Sequence, residues 1–171
     1  MSASEFPAPR PIVIDNAGQV IDSVWTVLTE GQPWTGASHV IVPLERLAEA
    51  PGAEAVLLSP ACGLQDLPPY LGQLKLIAVS FPKFRDGRGF TQARSLREHL
   101  GFTGDIRAVG HVLPDQYLAL LRCGVSTVEL AEGQDPDIWA EVLALRGGLD
   151  TRPVAEQPVP LLRRLAASFQ V

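Results

Sequence analysis

Short apolar runs recur along the chain from residue 39 onward, with segments of helical spacing between them. The runs occupy residues 39–42, 55–58, 74–79, 106–109 and 126–130. Most of them lack the alternation of apolar and polar residues that is typical of a strand with one face in water. Each run therefore predicts a strand that is covered on both faces, as in a parallel sheet.

Three of the intervening segments combine apolar residues at helical spacing with signals for a helix end. They are residues 91–100, 114–123 and 136–146. Thr91 is placed to cap the first helix, and a glycine follows the end of each segment. Weaker helices are predicted at residues 44–50 and at 64–74, where two prolines interrupt the pattern.

The alternation of strands and helices predicts an α/β protein with a mainly parallel sheet of about five βα units and right-handed crossovers. An open sheet and a partial barrel both fit the pattern, whereas a complete eight-unit barrel needs about 250 residues. An N-terminal β-hairpin is predicted from two apolar runs, residues 12–14 and 19–21, around the turn-forming residues 15–18.

The same pattern divides the chain into three parts. Residues 1–10 are polar and proline-rich and predict a flexible N-terminus, residues 11–149 form a single α/β domain, and residues 150–171 form a proline-rich extension with a short helix. No apolar run reaches the roughly 18 residues of a membrane span, so no membrane association is expected. Residues 1–10 also lack the order of a signal peptide, which favours a cytoplasmic location.

Charge is distributed unevenly along the chain. The net charge is −5, yet residues 83–122 carry seven of the 14 basic residues and only four acidic ones. An acidic protein is a poor candidate for nucleic-acid binding, which depends on many phosphate contacts. A local excess of arginine instead suits a small oxyanion, a nucleotide or an acidic partner, because the guanidinium group binds carboxylate and phosphate in a bidentate manner.

The strongest candidate site is the segment 81–90, which follows a predicted strand and precedes a predicted helix. Carboxyl ends of parallel strands gather at the edge where ligands bind, and a helix N-terminus attracts anions. The candidate anion- or partner-binding residues are Lys83, Arg85, Asp86, Gly87, Arg88 and Arg94. A solvent-exposed loop with an Asp-Gly turn is the simpler interpretation of the same residues.

Three further residues are expected near the same edge of the sheet: Cys62, His111 and Asp115. Cys62 and Cys123 are 61 residues apart, which fits neither a disulfide framework nor a metal-ligand spacing. The three histidines are scattered, so no metal site is predicted. The glycines of segment 81–90 lack the third glycine of a dinucleotide fingerprint, and no catalytic residue or cofactor can be assigned from the residues.

Residues 81–124 resemble a bacterial domain-of-unknown-function family whose genes typically neighbour those for assimilatory sulfite reductase. The matching pieces are Asp86-Gly87-Arg88, Ala93-Arg94, Leu96-Arg97, Leu100-Gly101, Gly104, Arg107-Ala108, Gly110, Asp115-Gln116 and Arg122-Cys123-Gly124. That family is labelled as an oxidoreductase of sulfite reduction, a label that rests on gene neighbourhood.

The resemblance implies a role in sulfate and sulfite assimilation, with sulfite reductase or another enzyme of sulfur assimilation as the partner. Two functions remain open. One is an accessory protein that binds an anion or a partner enzyme through the arginine-rich segment. The other is a small oxidoreductase that acts in sulfite reduction with a borrowed cofactor or with Cys62.

Overall fold

The computed structural model describes residues 11–83 and 85–145. The strands are β1 (Val13–Asp15), β2 (Val20–Ile21), β3 (Thr26–Val27), β4 (Val40–Pro43), β5 (Ala55–Leu58), β6 (Leu76–Phe81), β7 (Asp105–Gly110) and β8 (Thr127–Glu129). The helices are α1 (Arg88–Glu98), α2 (Tyr117–Arg122) and α3 (Pro136–Leu145), and two short 3₁₀ helices cover Leu44–Glu49 and Pro114–Gln116.

All eight strands join in one sheet with the order β2-β1-β8-β7-β6-β5-β4-β3. Strands β3 to β8 are parallel and follow the chain order, whereas β1 is antiparallel to both β8 and β2. Buried residues of α1, α2 and α3 share one core cluster with the sheet, so these helices cover one of its faces. The sheet is open and curled like half of a barrel, which confirms a mainly parallel α/β fold.

The N-terminal hairpin is confirmed, and its turn shows why these residues form one. The Asp15 carboxylate accepts hydrogen bonds from the backbone N–H groups of Ala17 and Gln19, each at 2.9 Å. Gly18 has a φ of 77°, the left-handed region that glycine adopts without strain. This short side chain and this glycine together reverse the chain between β1 and β2.

The count of five βα units is not confirmed, because the crossovers from β4 to β5 and from β5 to β6 contain no α-helix. The first contains only the 3₁₀ helix Leu44–Glu49, and residues 64–74 form a series of turns. Pro68 and Pro69 account for the second case, since proline lacks the N–H that an α-helix needs.

The core lies mainly on the helix-covered face of the sheet. Ile77, Val79 and Val128 are fully buried there, as predicted, with Leu96 and Trp139 packed over them. Val109 is also buried, but it belongs to a smaller cluster with Ile41, Ala55, Leu76 and Ala78. These residues alternate along the strands with those of the main core, so the smaller cluster occupies the opposite, inner face.

Helix α1 begins at Arg88, three residues before the predicted cap at Thr91, which is exposed. Asp86 explains the earlier start, because its Oδ1 accepts the backbone N–H of Arg88 at 3.2 Å. The N-terminus 1–10 and the extension 150–171 lie outside the described residues. None of the helices in the described part has the length and apolar character needed to cross a bilayer.

Candidate functional site

The loop between β6 and α1, residues 82–88, is called the arginine loop below. It leaves the carboxyl end of β6, a strand inside the sheet with β5 on one side and β7 on the other. A turn in which Asp86 N–H donates to the Lys83 carbonyl at 2.9 Å directs the chain into α1. The loop thus lies at the edge of the sheet where ligands of α/β proteins bind.

Asp86 and Arg88 form a bidentate ion pair within this loop. The Asp86 carboxylate accepts hydrogen bonds from Arg88 Nε at 2.9 Å and from Nη2 at 2.7 Å. These bonds lower the pKa of Asp86 to about 2. Asp86 therefore orders the loop in two ways, by holding the guanidinium and by accepting the first N–H of α1.

The pair leaves part of the Arg88 guanidinium available. A guanidinium carries five N–H donors, and Asp86 uses one on Nε and one on Nη2. The Arg88 side chain is 63% exposed, whereas that of Asp86 is 16% exposed. The remaining donors of Arg88 can therefore meet an anion that arrives from solvent.

The other predicted cations lie around the same helix start. Lys83 and Arg85 are exposed, and Gly87 at the N-cap contributes no side-chain cap. The first turn of α1 contains no acidic residue, and the carboxylate of Asp86 lies just before it, near the positive end of the helix dipole. Arg94 lies one turn further along and pairs with Glu98 at 3.0 Å.

Arg97 has a different environment from the loop arginines and acts as a structural residue. Its guanidinium donates to the carbonyls of Phe102, Gly104 and Gly124 and to Ser126 Oγ, at 2.6 to 2.9 Å. These bonds tie the end of α1 to the loops that lead into β7 and β8. Arg97 is therefore held away from the arginine loop.

Cys62 lies two strands from His111, beside an open cavity of about 670 Å³ at the ends of β4 and β5. Its Sγ donates to Glu45 Oε1 at 3.1 Å and lies 3.1 Å from Ser59 Oγ. Burial, together with the Glu45 carboxylate, raises the pKa of the Cys62 thiol. At neutral pH the group therefore remains a thiol, which is a much weaker nucleophile than a thiolate.

His111 and Asp115 both lie after β7 and are exposed. The His111 backbone N–H donates to the Phe81 carbonyl at 2.7 Å, which places His111 directly beside the start of the arginine loop. Asp115 lies in the short 3₁₀ helix before α2. The structure thus brings His111 close to the loop. It also joins the Cys62 segment to α1, because Gln92 Nε2 donates to the carbonyls of Ser59 and Cys62 at 2.9 and 3.0 Å.

A polar group on the inner face of β7 and β8 is not among the residues predicted from the sequence. Arg107 is only 3% exposed and donates to Ser23 Oγ at 2.7 Å, Thr127 Oγ1 at 3.1 Å and Asp105 Oδ2 at 3.2 Å. Glu129 follows Thr127 on the same face. The sequence signal for this group is a polar residue at every second position, namely Asp105 and Arg107 in β7 and Thr127 and Glu129 in β8.

In the part of the chain that the structure describes, no three histidine, cysteine, aspartate or glutamate residues are grouped so that they could hold a metal ion. The described site residues thus offer cationic and hydrogen-bonding groups.

Residues 55–157 match the family described as a bacterial protein of unknown function (DUF934), and no curated protein matches the chain. The matched range contains the whole of residues 81–124, on which the resemblance to a bacterial domain-of-unknown-function family rests. Because the match covers more than half of the chain, the protein belongs to the DUF934 family of bacterial proteins.

Proposed function

We propose that the protein is an accessory protein of assimilatory sulfate and sulfite reduction that binds an anionic group through the arginine loop. The group belongs to a small oxyanion, a nucleotide or an acidic surface of a partner enzyme such as sulfite reductase. The sulfur context of this proposal rests on the family resemblance alone. The mode of binding rests on the geometry of the loop.

One observation carries the binding mode: exposed cations surround a helix start at the ligand-binding edge of the sheet. Lys83 and Arg85 are exposed, and Arg88 keeps N–H donors that Asp86 does not use. The backbone N–H groups of the first turn of α1 add to the attraction for an anion. No acidic side chain in that turn opposes it.

Asp86 acts as an internal competitor in this proposal. Its carboxylate already bonds to the Arg88 guanidinium and to the Arg88 N–H, which are contacts that an oxyanion would also make. An external anion must therefore share Arg88 with Asp86. Its affinity is expected to be modest for a lone sulfate and higher for a ligand with several acidic groups.

The alternative, an oxidoreductase that uses Cys62, receives less support from the geometry. Thiol-based redox chemistry requires a thiolate, which a positive neighbour stabilises. Cys62 instead faces the Glu45 carboxylate, and burial raises the pKa of its thiol. An oxidoreductase that borrows a cofactor would not need a thiolate at Cys62. A bound chromophore in the purified protein would favour that function.

Calorimetric titration tests the arginine loop directly. The ligands are sulfite, sulfate, adenosine phosphosulfate and sulfite reductase. For a ligand that the parent protein binds, Arg88→Ala is expected to weaken binding by roughly 1.5–3 kcal/mol, the range for a hydrogen bond to a charged group. Arg88→Lys is expected to restore only part of the loss, because an ammonium cannot reproduce the guanidinium fork.

The matched control is Arg122→Ala, which removes an exposed arginine from the end of α2. This variant loses the same formal charge at a place away from the arginine loop, so its affinity should remain close to that of the parent. Equal affinity of the parent and Arg88→Ala for every ligand would refute the proposal. Equal weakening in both arginine variants would show a non-specific charge effect and would refute it as well.

A further inference from the structure

An open cavity of about 470 Å³ lies at the carboxyl ends of β7 and β8, and it is called the β7–β8 cavity below. Its walls come from three segments: residues 11–12 before β1, residues 110–111 after β7, and residues 129–133 at the end of β8. The arginine loop contributes no residue to these walls. The cavity is therefore a separate feature of the same edge of the sheet.

Glu129 is the charged residue of this cavity that lies half-buried, whereas Glu132 and His111 are exposed. It is the last residue of β8, it is half-buried, and β1 places the apolar Val13 opposite it. Among the described residues, no hydrogen-bond donor contacts its carboxylate. Burial raises the pKa of Glu129, because a partly buried carboxylate loses hydration.

Arg107 lies on the same face of the sheet, but its guanidinium is committed to other partners. It donates to Ser23, Thr127 and Asp105, and the Asp105 carboxylate balances its charge. The charge of Arg107 lowers the pKa of Glu129, but the opposite effect of burial is larger. The carboxylate of Glu129 still lacks a donor of its own.

The rim of the cavity defines the ligand that would supply this donor. The charged or titratable side chains that line it are Glu129, Glu132 and His111, and no lysine or arginine is among the lining residues. The remaining walls include the apolar side chains of Ile12, Leu130 and Ala131. Such a cavity favours a positively charged hydrogen-bond donor that is attached to a short apolar group.

We propose that the β7–β8 cavity binds a small organic cation, in which a primary ammonium or guanidinium group on a short hydrocarbon chain is anchored by the Glu129 carboxylate. This site goes beyond the proposed anion site, because it has the opposite ligand charge and uses other residues. The two sites can therefore fail independently.

The test is an NMR titration of the isotope-labelled full chain with n-butylammonium chloride and n-butylguanidinium chloride. Saturable shifts are expected at the backbone amides of residues 110–112 and 129–133. The neutral analogue n-butanol has the same hydrocarbon chain and should give much weaker shifts. Glu129→Gln should reduce the affinity for the cations by about tenfold or more, since a charge-assisted hydrogen bond is lost.

Glu141→Gln is the matched control, because Glu141 is an exposed glutamate of α3 outside the cavity. Arg88→Ala is the second control and should leave cation binding unchanged, even if it abolishes anion binding. If Glu129→Gln does not fold, the parent protein provides the measurement. Its affinity for the cations should fall as the pH falls through the raised pKa of Glu129, since a protonated carboxyl loses the charge attraction.

Three results would overturn the proposal. The first is an absence of saturable shifts at these amides with either cation. The second is equal binding of n-butanol, and the third is unchanged affinity in Glu129→Gln. Any of them would leave the β7–β8 cavity as a solvent-filled recess.

Discussion

The carboxylate of Asp86 already makes the contacts that an external anion would make at the arginine loop. Its carboxylate holds the Arg88 guanidinium through two hydrogen bonds and accepts the first N–H of α1. The loop is thus ordered before any ligand arrives. The same contacts set a limit on affinity, because the ligand and Asp86 use one guanidinium.

Removing the charge of Asp86 is therefore expected to strengthen anion binding. Asp86→Asn keeps a side-chain oxygen that can accept the Arg88 N–H, and it frees the guanidinium from an ion pair. For sulfate or adenosine phosphosulfate, the affinity should rise by roughly twofold to fivefold, because an exposed ion pair is a weak competitor. Calorimetry measures the change.

Asp22→Asn serves as the control for this variant, because Asp22 is an exposed aspartate between β2 and β3. It removes the same charge at another place and should leave the affinity nearly unchanged. A lower affinity in Asp86→Asn than in the parent would mean that Asp86 supports the bound state. Asp86 would then not compete with the anion for the Arg88 guanidinium, contrary to the prediction.

The acid titration of Asp86 gives a second prediction at this scale. Its pKa of about 2 lies below the ordinary aspartate value of 3.8, chiefly because Arg88 donates to the charged form. The ion pair should thus be complete above the ordinary value and be lost as the pH falls through about 2. Arg88→Ala should move the pKa of Asp86 back toward its ordinary value.

Carboxyl carbon shifts measured by NMR between neutral and strongly acidic pH follow this titration directly. An Asp86 that titrates at its ordinary value in the parent protein would show that the ion pair does not persist in solution. The arginine loop would then lack the order described here.

At the scale of the elements, the helices with clear end signals were predictable to within a few residues. Helix α3 covers Pro136–Leu145, where residues 136–146 were predicted. The start of α1 was not predictable in the same way. Thr91 and Asp86 are both residues that cap helices, and only the folded loop shows that the Asp86 carboxylate reaches the Arg88 N–H.

The strands show what a single sequence leaves undetermined. The apolar runs predicted β4 to β8 as strands covered on both faces. Arg107 and Thr127 lie within two of these runs, and Asp105 lies directly before one of them. In the structure these residues satisfy one another on the inner face. Asp105 and Arg107 belong to β7 and Thr127 to β8, so the register between these two strands brings Thr127 to the other two.

Gly89 illustrates how α1 is fitted to the sheet. A Cβ added to Gly89 would lie 2.6 Å from Cζ of Phe81, whose ring is buried and packs edge-on against Phe90. Gly89→Ala is therefore expected to destabilise the protein by about 1–3 kcal/mol, the usual cost of overpacking a core. The better helix propensity of alanine offsets only part of this.

Chemical denaturation measures this effect, with Gly87→Ala as the matched control. A Cβ added to Gly87 would meet nothing within 4 Å, and its φ is −78°, which any residue adopts. The control should therefore unfold close to the parent midpoint. Equal stability of the two variants would show that the ring of Phe81 can move aside.

At the scale of the whole molecule, the carboxyl edge of the sheet gathers several candidate groups. Cys62 follows β5, the arginine loop follows β6, and the β7–β8 cavity opens beside them. The position of the arginine loop at this edge was predictable from the order of elements. Glu129 was not, because its lack of a partner becomes visible only when the neighbouring strands are in place.

The proposed role in sulfur assimilation makes a prediction for the living cell. Deletion of the gene should impair growth on sulfate or sulfite, whereas growth on cysteine should remain normal, because cysteine bypasses the reduction of sulfite. Growth curves on single sulfur sources measure this, and the parent gene supplied in trans is the control. Equal growth of the deletion strain and the parent on every source would contradict the sulfur context.

The connection between β2 and β3 limits the shape of the whole sheet. These two strands form its opposite edges, yet only residues 22–25 join them. A fully extended chain from Ile21 to Thr26 spans at most about 18 Å, whereas the edges of a flat eight-stranded sheet would be about 33 Å apart. The sheet must therefore curl until this short connection can bridge its edges. Ser23, in the middle of the connection, bonds Arg107 on the inner face, so one four-residue segment fixes the width of the half-barrel and contacts its buried charge.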